Sequence, residues 1–593
     1  MYRTYFLSIL CTISILSFAT LQVKAETESE KEVKKMHEIF DENWEYYLER
    51  YPTSATYEGD HRFDDKLPDF SEKAILKDRE RTKKVLKRIE AINYEILPKE
   101  EKLNLLLYKD GLESQIESFK FNYHLMPIGQ QNGFHISFPQ IQGYSRFESV
   151  KDYENYISRL NGYAEQIDNL IERMKKGVEQ KIVPPQKIME KVVPQIQALI
   201  KDDPKESILF KPASKFPDSF SEAEKEGLSE KMAKAISEKI NPANQKLLEF
   251  FEKDYLPNCR ENFGTWSLPN GNERYAYLAK SYTTTDLTPE EIAELGKKEL
   301  KRIRAEMETV KKKVSFEGSL DEFITYVRED KQFYATSGEQ LMKGFREILK
   351  KMDKELPKFF KRLPESEYDL KEIEEFRALS APVAYYYSAP EDRSRPGYFY
   401  VNTSLPEKRA LYTMEALAFH EAVPGHHLQI AFTQELKNLP KFRQGGGETA
   451  FVEGWGLYAE SLGKEAGFYQ DPYSDYGRLT FEAWRAVRLI VDTGMHYFKW
   501  TREDAIAFCM KNLSLAEVDI ESEVERYISM PGQALAYKIG ELKIKEIRAK
   551  ATKELGNKFD IREFHDALLR NGGLPLSVLE KVMDEWIEQE KLK

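Results

Sequence analysis

Most of the chain reads as amphipathic helix. Apolar residues recur every three or four positions through 31–50, 72–121 and 151–178. In the second stretch Ile75, Leu76, Val85, Leu86, Ile89 and Ile92 share one face. Segment 287–312 opens on Thr288-Pro289-Glu290-Glu291, a capping residue followed by Pro in the first turn. Segments 319–328, 338–353, 484–497 and 502–512 repeat the pattern. Period-two alternation is scarce. Ala381 to Tyr387 and Tyr398 to Thr403 predict a small β-ribbon, joined through Pro390, Asp392, Arg395, Pro396 and Gly397. Residues 133–140 are a further strand candidate. The expected fold is mainly α: one large helical domain over residues 26–593, in two lobes. Polar and Pro residues interrupt the helices at the candidate joints 202–217 and 257–272.

Residues 1–25 stand apart. Arg3 precedes an almost uncharged apolar run from Tyr5 to Leu21, and Val23-Lys24-Ala25 gives a small-x-small end before Glu26. That is the form of a secretory signal peptide. It implies an exported protein, periplasmic or secreted, with no membrane span after cleavage. Cys11 lies inside the apolar run behind the bulky Leu10, which argues against a lipid-attachment box.

Composition narrows the classes. Of 593 residues 41% are hydrophobic, ample for a large core, so the chain is not disordered. The net charge of -11 lacks the basic footprint of a nucleic-acid binder. Beyond residue 25 only Cys259 and Cys509 remain; they form no disulfide framework, and without a C-x-x-C pair there is no thiolate zinc site.

The chemistry is concentrated in one place. Of nine histidines three fall within His420-Glu421-Ala422-Val423-Pro424-Gly425-His426-His427. The run before it, Leu411 to Phe419, is apolar at helical spacing, so His420 and Glu421 are expected at the end of a partly buried helix. The usual zinc-peptidase pattern H-E-x-x-H sets two His one turn apart. Here Pro424 occupies the second His position, and an ideal helix would raise His427 ~10.5 Å above His420. Zinc needs its nitrogens at ~2.0–2.1 Å. The helix must therefore break, and Pro424 and Gly425 are the residues to break it. Counted by angle, seven residues are nearly two turns, which favours His427 as second ligand. Counted by rise, His426 is nearer. His427 is the expected ligand and His426 the alternative. An open zinc site takes a third protein ligand. Glu453, flanked by apolar residues between Phe451 and Tyr458, is the candidate. Gly454 and Gly456 beside it cost the helix ~1 kcal/mol each, which implies a close approach by another backbone. Glu460, two turns on, is a candidate partner for a ligand.

The string His420 to Gln429, followed by Glu453-Gly454-Trp455, resembles the bacterial family catalogued as domain of unknown function 885. Ala55 to Arg62, Ser394 to Gly397, Arg485 to Gly494, Arg526-Tyr527, Pro531 to Ala534 and Tyr537 to Gly540 agree with it. The resemblance runs from about residue 45 to the C-terminus. It implies a helical fold related to gluzincin metallopeptidases and similar in outline to angiotensin-converting-enzyme and oligopeptidase folds, with a deep central cleft. In those folds one helix carries H-E-x-x-H and a later helix the third Glu ligand.

The expected activity is zinc-dependent hydrolysis of short or unfolded peptides, with Glu421 as general base and then proton donor. A non-peptide amide or ester hydrolase and a non-catalytic binding protein are the alternatives. Arg485, Arg488, Asp492 and His496 share one helix face. Asp492 could orient a site His, and His496 could hydrogen-bond a tetrahedral intermediate. Tyr537 is a candidate oxyanion donor. Tyr400 and Asn402, on the ribbon, and Arg526 are candidate substrate contacts, with an edge strand at Tyr398–Thr403 holding an extended peptide.

Overall fold

The computed structural model describes residues 26–373, 378, 382–390, 393, 395–445 and 447–593. The predicted signal segment, Ala381, Asp392 and Ser394 lie outside them. The fold is mainly helical, with one three-stranded sheet among the described residues. The elements that position the site are α1 (Glu28–Arg50), α2 (Val150–Glu179), α3 (Gly271–Thr283), α4 (Pro289–Lys313), α5 (Gly338–Glu355), β1 (Tyr368–Glu372), β2 (Ala384–Tyr387), β3 (Gly397–Val401), α6 (Met414–Glu421), α7 (His426–Gln434), α8 (Thr449–Glu465), α9 (Pro472–His496), α10 (Glu517–Ser529) and α11 (Ala536–Leu555). The start of α4 is as its sequence predicts. Thr288 caps the backbone of Glu291, Glu291 returns the bond, and Pro289 occupies the first turn.

Residues 133–140 form a helix, Phe134–Gln140, and not the expected strand. The run is too short for periodicity to discriminate. Gly133, at φ +128°, starts the helix, and Phe134 and Phe138, four apart, bury the same face.

The ribbon is present, but as part of a sheet ordered β1-β3-β2, with β1 parallel and β2 antiparallel to β3. Asp369, Lys371 and Glu372 conceal β1 in the sequence. It forms because Leu370 is buried between them and its backbone pairs with Phe399. The consequence for the ribbon is a correction. Residues Gly397–Val401 are the central strand, paired on both sides, and cannot accept another chain. The edges are β1 and β2.

A buried cluster runs from Ile128 to Cys259. The segment 202–217 is packed within it: Tyr153 and Tyr156 donate to the carbonyls of Pro212 and Leu209. The cluster ends inside segment 257–272. Cys259 and Cys509 are both free and buried, in different clusters. No described helix is long and apolar enough to cross a membrane.

The largest cluster joins the inner face of the sheet to α6, α8 and α11. Here Gly454 has its reason. A Cβ on it would lie 2.5 Å from the Gly540 backbone, and one on Gly540 would lie 1.8 Å from the Ala450 carbonyl oxygen. The α8–α11 crossing is a backbone contact, which brings Glu453 and Tyr537 to the same place. Helix α9 is buried almost all round, so its Arg485, Arg488, Asp492 and His496 are interior and not a solvated stripe.

Candidate metal centre

Helix α6 ends at Glu421 and α7 begins at His426, with a tight reversal through a cis Val423–Pro424 bond between them. Gly425 is required there for proximity. A Cβ would lie 2.0 Å from the carbonyl oxygen of His420 and 2.2 Å from that of Phe419. The indole of Trp455 donates to the Pro424 carbonyl at 2.9 Å and ties the turn to α8.

Because the helix is broken, counting by angle no longer applies. His426, the first residue of α7, faces back at His420; their ring centroids are 4.7 Å apart. Donor atoms of His420, Glu421 and His426 lie within 4.8 Å of one another. Glu453 Oε2 lies 3.6 Å from Nε2 of His420 and 3.5 Å from Nε2 of His426. These are poor hydrogen-bond lengths. Two ligands at ~2.0–2.1 Å from one tetrahedral ion are separated by roughly 3.3 Å, so the spacing fits a shared metal.

His427 is turned elsewhere, which corrects its expected role. Its Nδ1 is 2.9 Å from the Tyr386 hydroxyl, and its ring packs on Tyr368 at 4.7 Å. Burial lowers its pKa to about 4, so the ring is neutral. One step along a helix rotates a side chain by about 100°, and that step separates the cluster from the core.

Glu460 supplies what Asp492 was expected to supply. Its Oε1 accepts from His420 Nδ1 at 2.8 Å, leaving His420 Nε2 to face Glu453. Gly456 makes room for that ring, since a Cβ would lie 2.8 Å from it. Burial works against a charged His420, but Glu453 and Glu460 outweigh it and lift the ring to about 9. Burial likewise pushes the Glu453 carboxyl up, and the two imidazoles overcome it and hold it well below the usual range. Asp492 instead accepts from the Tyr275 hydroxyl at 2.6 Å and the Gly532 amide at 3.0 Å; burial raises it to about 7.

The Tyr537 ring lies 6.3 Å from that of His420 at an interplanar angle of 18°. Burial and then Glu453 raise its pKa, so its hydroxyl remains a donor at neutral pH. Arg526 is half-buried and donates to Glu523 and Gln533. Asn402 is not available to a substrate. Its amide donates to the Ala378 carbonyl at 2.6 Å, and its oxygen accepts from Ser404. Tyr400 points to the sheet face opposite the core cluster, stacked on Tyr385 at 4.9 Å. Arg485 and Arg488 around Tyr537, together with Gln533, were not foreseen as site residues; the agreement at Arg485–Gly494 and Pro531–Ala534 was the available signal.

The family described as "Bacterial protein of unknown function (DUF885)" matches residues 52–583. The chain belongs to that family. No curated protein matches it. This DUF885 chain is similar to "the putative lipoprotein from Colwellia psychrerythraea", with 26% identity and a TM-score of 0.88 over 95% of this chain and 100% of that one. It also matches "a putative lipoprotein of unknown function from Shewanella oneidensis", at 18% identity and TM-score 0.71, covering 93% and 99%; this likeness shows the fold alone. "A putative oligoendopeptidase F from Bacillus anthracis str. Ames" aligns at 12% identity and TM-score 0.27 over 87% and 96%, too low to argue from.

His496 of this DUF885 chain is a core residue and does not meet a substrate, correcting the expectation for it. Its Nδ1 accepts from the Thr265 amide at 3.2 Å and its Nε2 donates to the Tyr527 carbonyl at 3.0 Å. Burial lowers its pKa to about 3. With the folded value below the unfolded ~6.5, its contribution to stability is present above pH ~6.5 and is lost as pH falls toward 3, by ~1.4 kcal/mol per unit at most. His496→Gln has no such group. The stability gap between wild type and this variant, from urea unfolding, should therefore narrow between pH 6.5 and 4. A constant gap would show that the ring does not titrate with unfolding.

Proposed function

We propose that this protein is an exported zinc-dependent peptidase acting on short or unfolded peptides. The observation that carries the reading is Glu453 Oε2 at 3.5–3.6 Å from two imidazole nitrogens, with Glu421 in the same cluster. His420, His426 and Glu453 would hold the metal, with His420 oriented by Glu460. When bound, zinc lowers the pKa of a water and polarises a carbonyl. Glu421 is next to a ligand without being needed as one, so it is placed to take the proton of the attacking water and pass it to the leaving amine. Tyr537 donates to the carbonyl oxygen as negative charge develops there. A purely structural metal site has no use for Glu421.

The edge strand β2 supports a peptide substrate. The Asn402 backbone N–H donates to the Val383 carbonyl, which sets the phase of the antiparallel ladder. By alternation, Ala384 and Tyr386 turn their backbone groups to the free edge, where an extended chain can pair. Export is supported by the predicted signal segment and by the similar protein from Colwellia psychrerythraea, which is described as a putative lipoprotein.

The test is to incubate the zinc-loaded protein with a mixed peptide library and with native globular proteins. Cleavage of peptides and little action on folded proteins is expected. Equal cleavage of both would contradict the substrate class. Hydrolysis of esters or non-peptide amides alone would shift the same chemistry to the alternative substrate.

A further inference from the structure

Tyr537 faces a second set of groups besides the histidines. The Arg488 guanidinium carbon lies 4.3 Å from its ring centroid and that of Arg485 5.8 Å. Arg526 donates to Gln533 Oε1 at 2.6 Å and shares Glu523 Oε2 with Arg488. Two guanidiniums therefore pack on one phenol at the edge of the metal cluster, and a third is joined to them through Glu523.

Few described carboxylates answer them. Glu523 accepts from Arg488 Nη2 at 3.0 Å and from Arg526 Nε and Nη2 at 3.1 and 2.9 Å. Glu460 lies 3.5 Å from Arg485 but accepts from His420 at 2.8 Å. Asp492 is turned to Tyr275 and Gly532. One carboxylate thus serves two guanidiniums. Arg488 Nη1 and Arg485 Nε are buried without a hydrogen-bond partner. A buried guanidinium nitrogen without an acceptor costs free energy unless a ligand supplies one. The part-exposed members are Arg526, with 17% of its side chain accessible, Gln533 and Tyr537, so an arriving anion meets these first.

We propose that Arg526, backed by Arg488, receives the free α-carboxylate of the substrate, so that the enzyme removes residues from peptide C-termini. This rests on the peptidase reading above. The Tyr537 ring is 6.3 Å from the His420 ring and 4.3 Å from the Arg488 guanidinium, and Arg526 shares the Glu523 carboxylate with Arg488. Arg488 is therefore within about 11 Å of the His420 ring, about three extended residues at ~3.3 Å each. A carboxylate held there places one of the last few peptide bonds at Glu421. Arg526 gives Nε and one Nη2 hydrogen to Glu523 and one Nη1 hydrogen to Gln533, so the incoming carboxylate takes the one remaining hydrogen on each Nη.

The experiment compares one peptide in three forms with the zinc-loaded full chain: free at both ends, amidated at the C-terminus, and acetylated at the N-terminus. Products are identified by mass spectrometry. The free and acetylated forms should be cut alike within the last three residues, and the amide slower by about 10²-fold, the scale for losing one partner of a largely desolvated charge pair. Arg526→Gln should collapse the acid-to-amide ratio toward one, mainly through KM, and Arg526→Lys should restore part of it. Because the reading is a ratio on wild-type enzyme, it survives a variant that fails to fold. Equal rates for acid and amide, or loss of cleavage on acetylation, would overturn the proposal with the peptidase reading intact. Absence of cleavage in every form would remove both.

Discussion

His420→Ala and His426→Ala are each expected to abolish stoichiometric zinc binding, whereas His427→Ala keeps it. The difference follows from the turn. His420 and His426 face one carboxylate oxygen of Glu453, while His427 meets the Tyr386 hydroxyl on the other side of the backbone. His427→Ala loses a buried hydrogen bond and part of the packing on Tyr368, so its cost falls on the melting temperature. Glu460→Gln provides a scale between these extremes. It keeps the oxygen that accepts from His420 but loses the charge, and outer partners of this kind are worth ~10–100-fold in metal affinity. The measurement is metal content by mass spectrometry after dialysis, with a zinc titration for affinity. Zinc retained by His426→Ala and lost by His427→Ala would reverse the assignment. Wild-type protein that takes up no transition metal would remove the site altogether.

Glu421→Gln is expected to keep zinc and lose hydrolysis by ~10²–10⁴-fold, the range for a positioned acid–base group. At 1.36 kcal/mol per decade this is about 3–5 kcal/mol of barrier. The substitution preserves size and the helix end, so folding and metal content serve as controls. The loss should appear in kcat with KM little changed, because the carboxylate acts on the proton in flight rather than on the bound peptide. Glu421 is part-exposed at the last position of α6, open to water on one side and to the two imidazoles on the other. A variant that cleaves peptides at the wild-type rate would exclude Glu421 as the base.

The residue pattern by itself determined the helical class, the place of most long helices though not all their bounds (the stretch 72–121 is two helices, Glu72–Glu90 and Lys99–Ser118, and the one expected at 484–497 begins at Pro472), two of the three strands and the short list of candidate metal-binding residues. Each is a local matter. Apolar spacing, capping residues and Pro or Gly at fixed offsets act within a few residues and can be read one segment at a time. Even the break after Glu421 was legible, since Pro424 cannot continue the helix. Which residues then face one another was decided only by the tertiary structure. His426 replaced His427 because a restarted helix has its own phase, set by Trp455 holding the Pro424 carbonyl from α8. Glu460 replaced Asp492 because α8, and not α9, brings its carboxylate to His420. Strand β1 escaped notice because three of its five residues are exposed charges and only Leu370 is buried, so its pairing with Gly397–Val401 leaves no alternation to read. His496 looked reactive as an isolated histidine and proved to be a core residue, both nitrogens satisfied by Thr265 and Tyr527. Contacts between residues 31 to 231 positions apart leave no period in the chain, and it is such contacts that assign a side chain to the site or to the core.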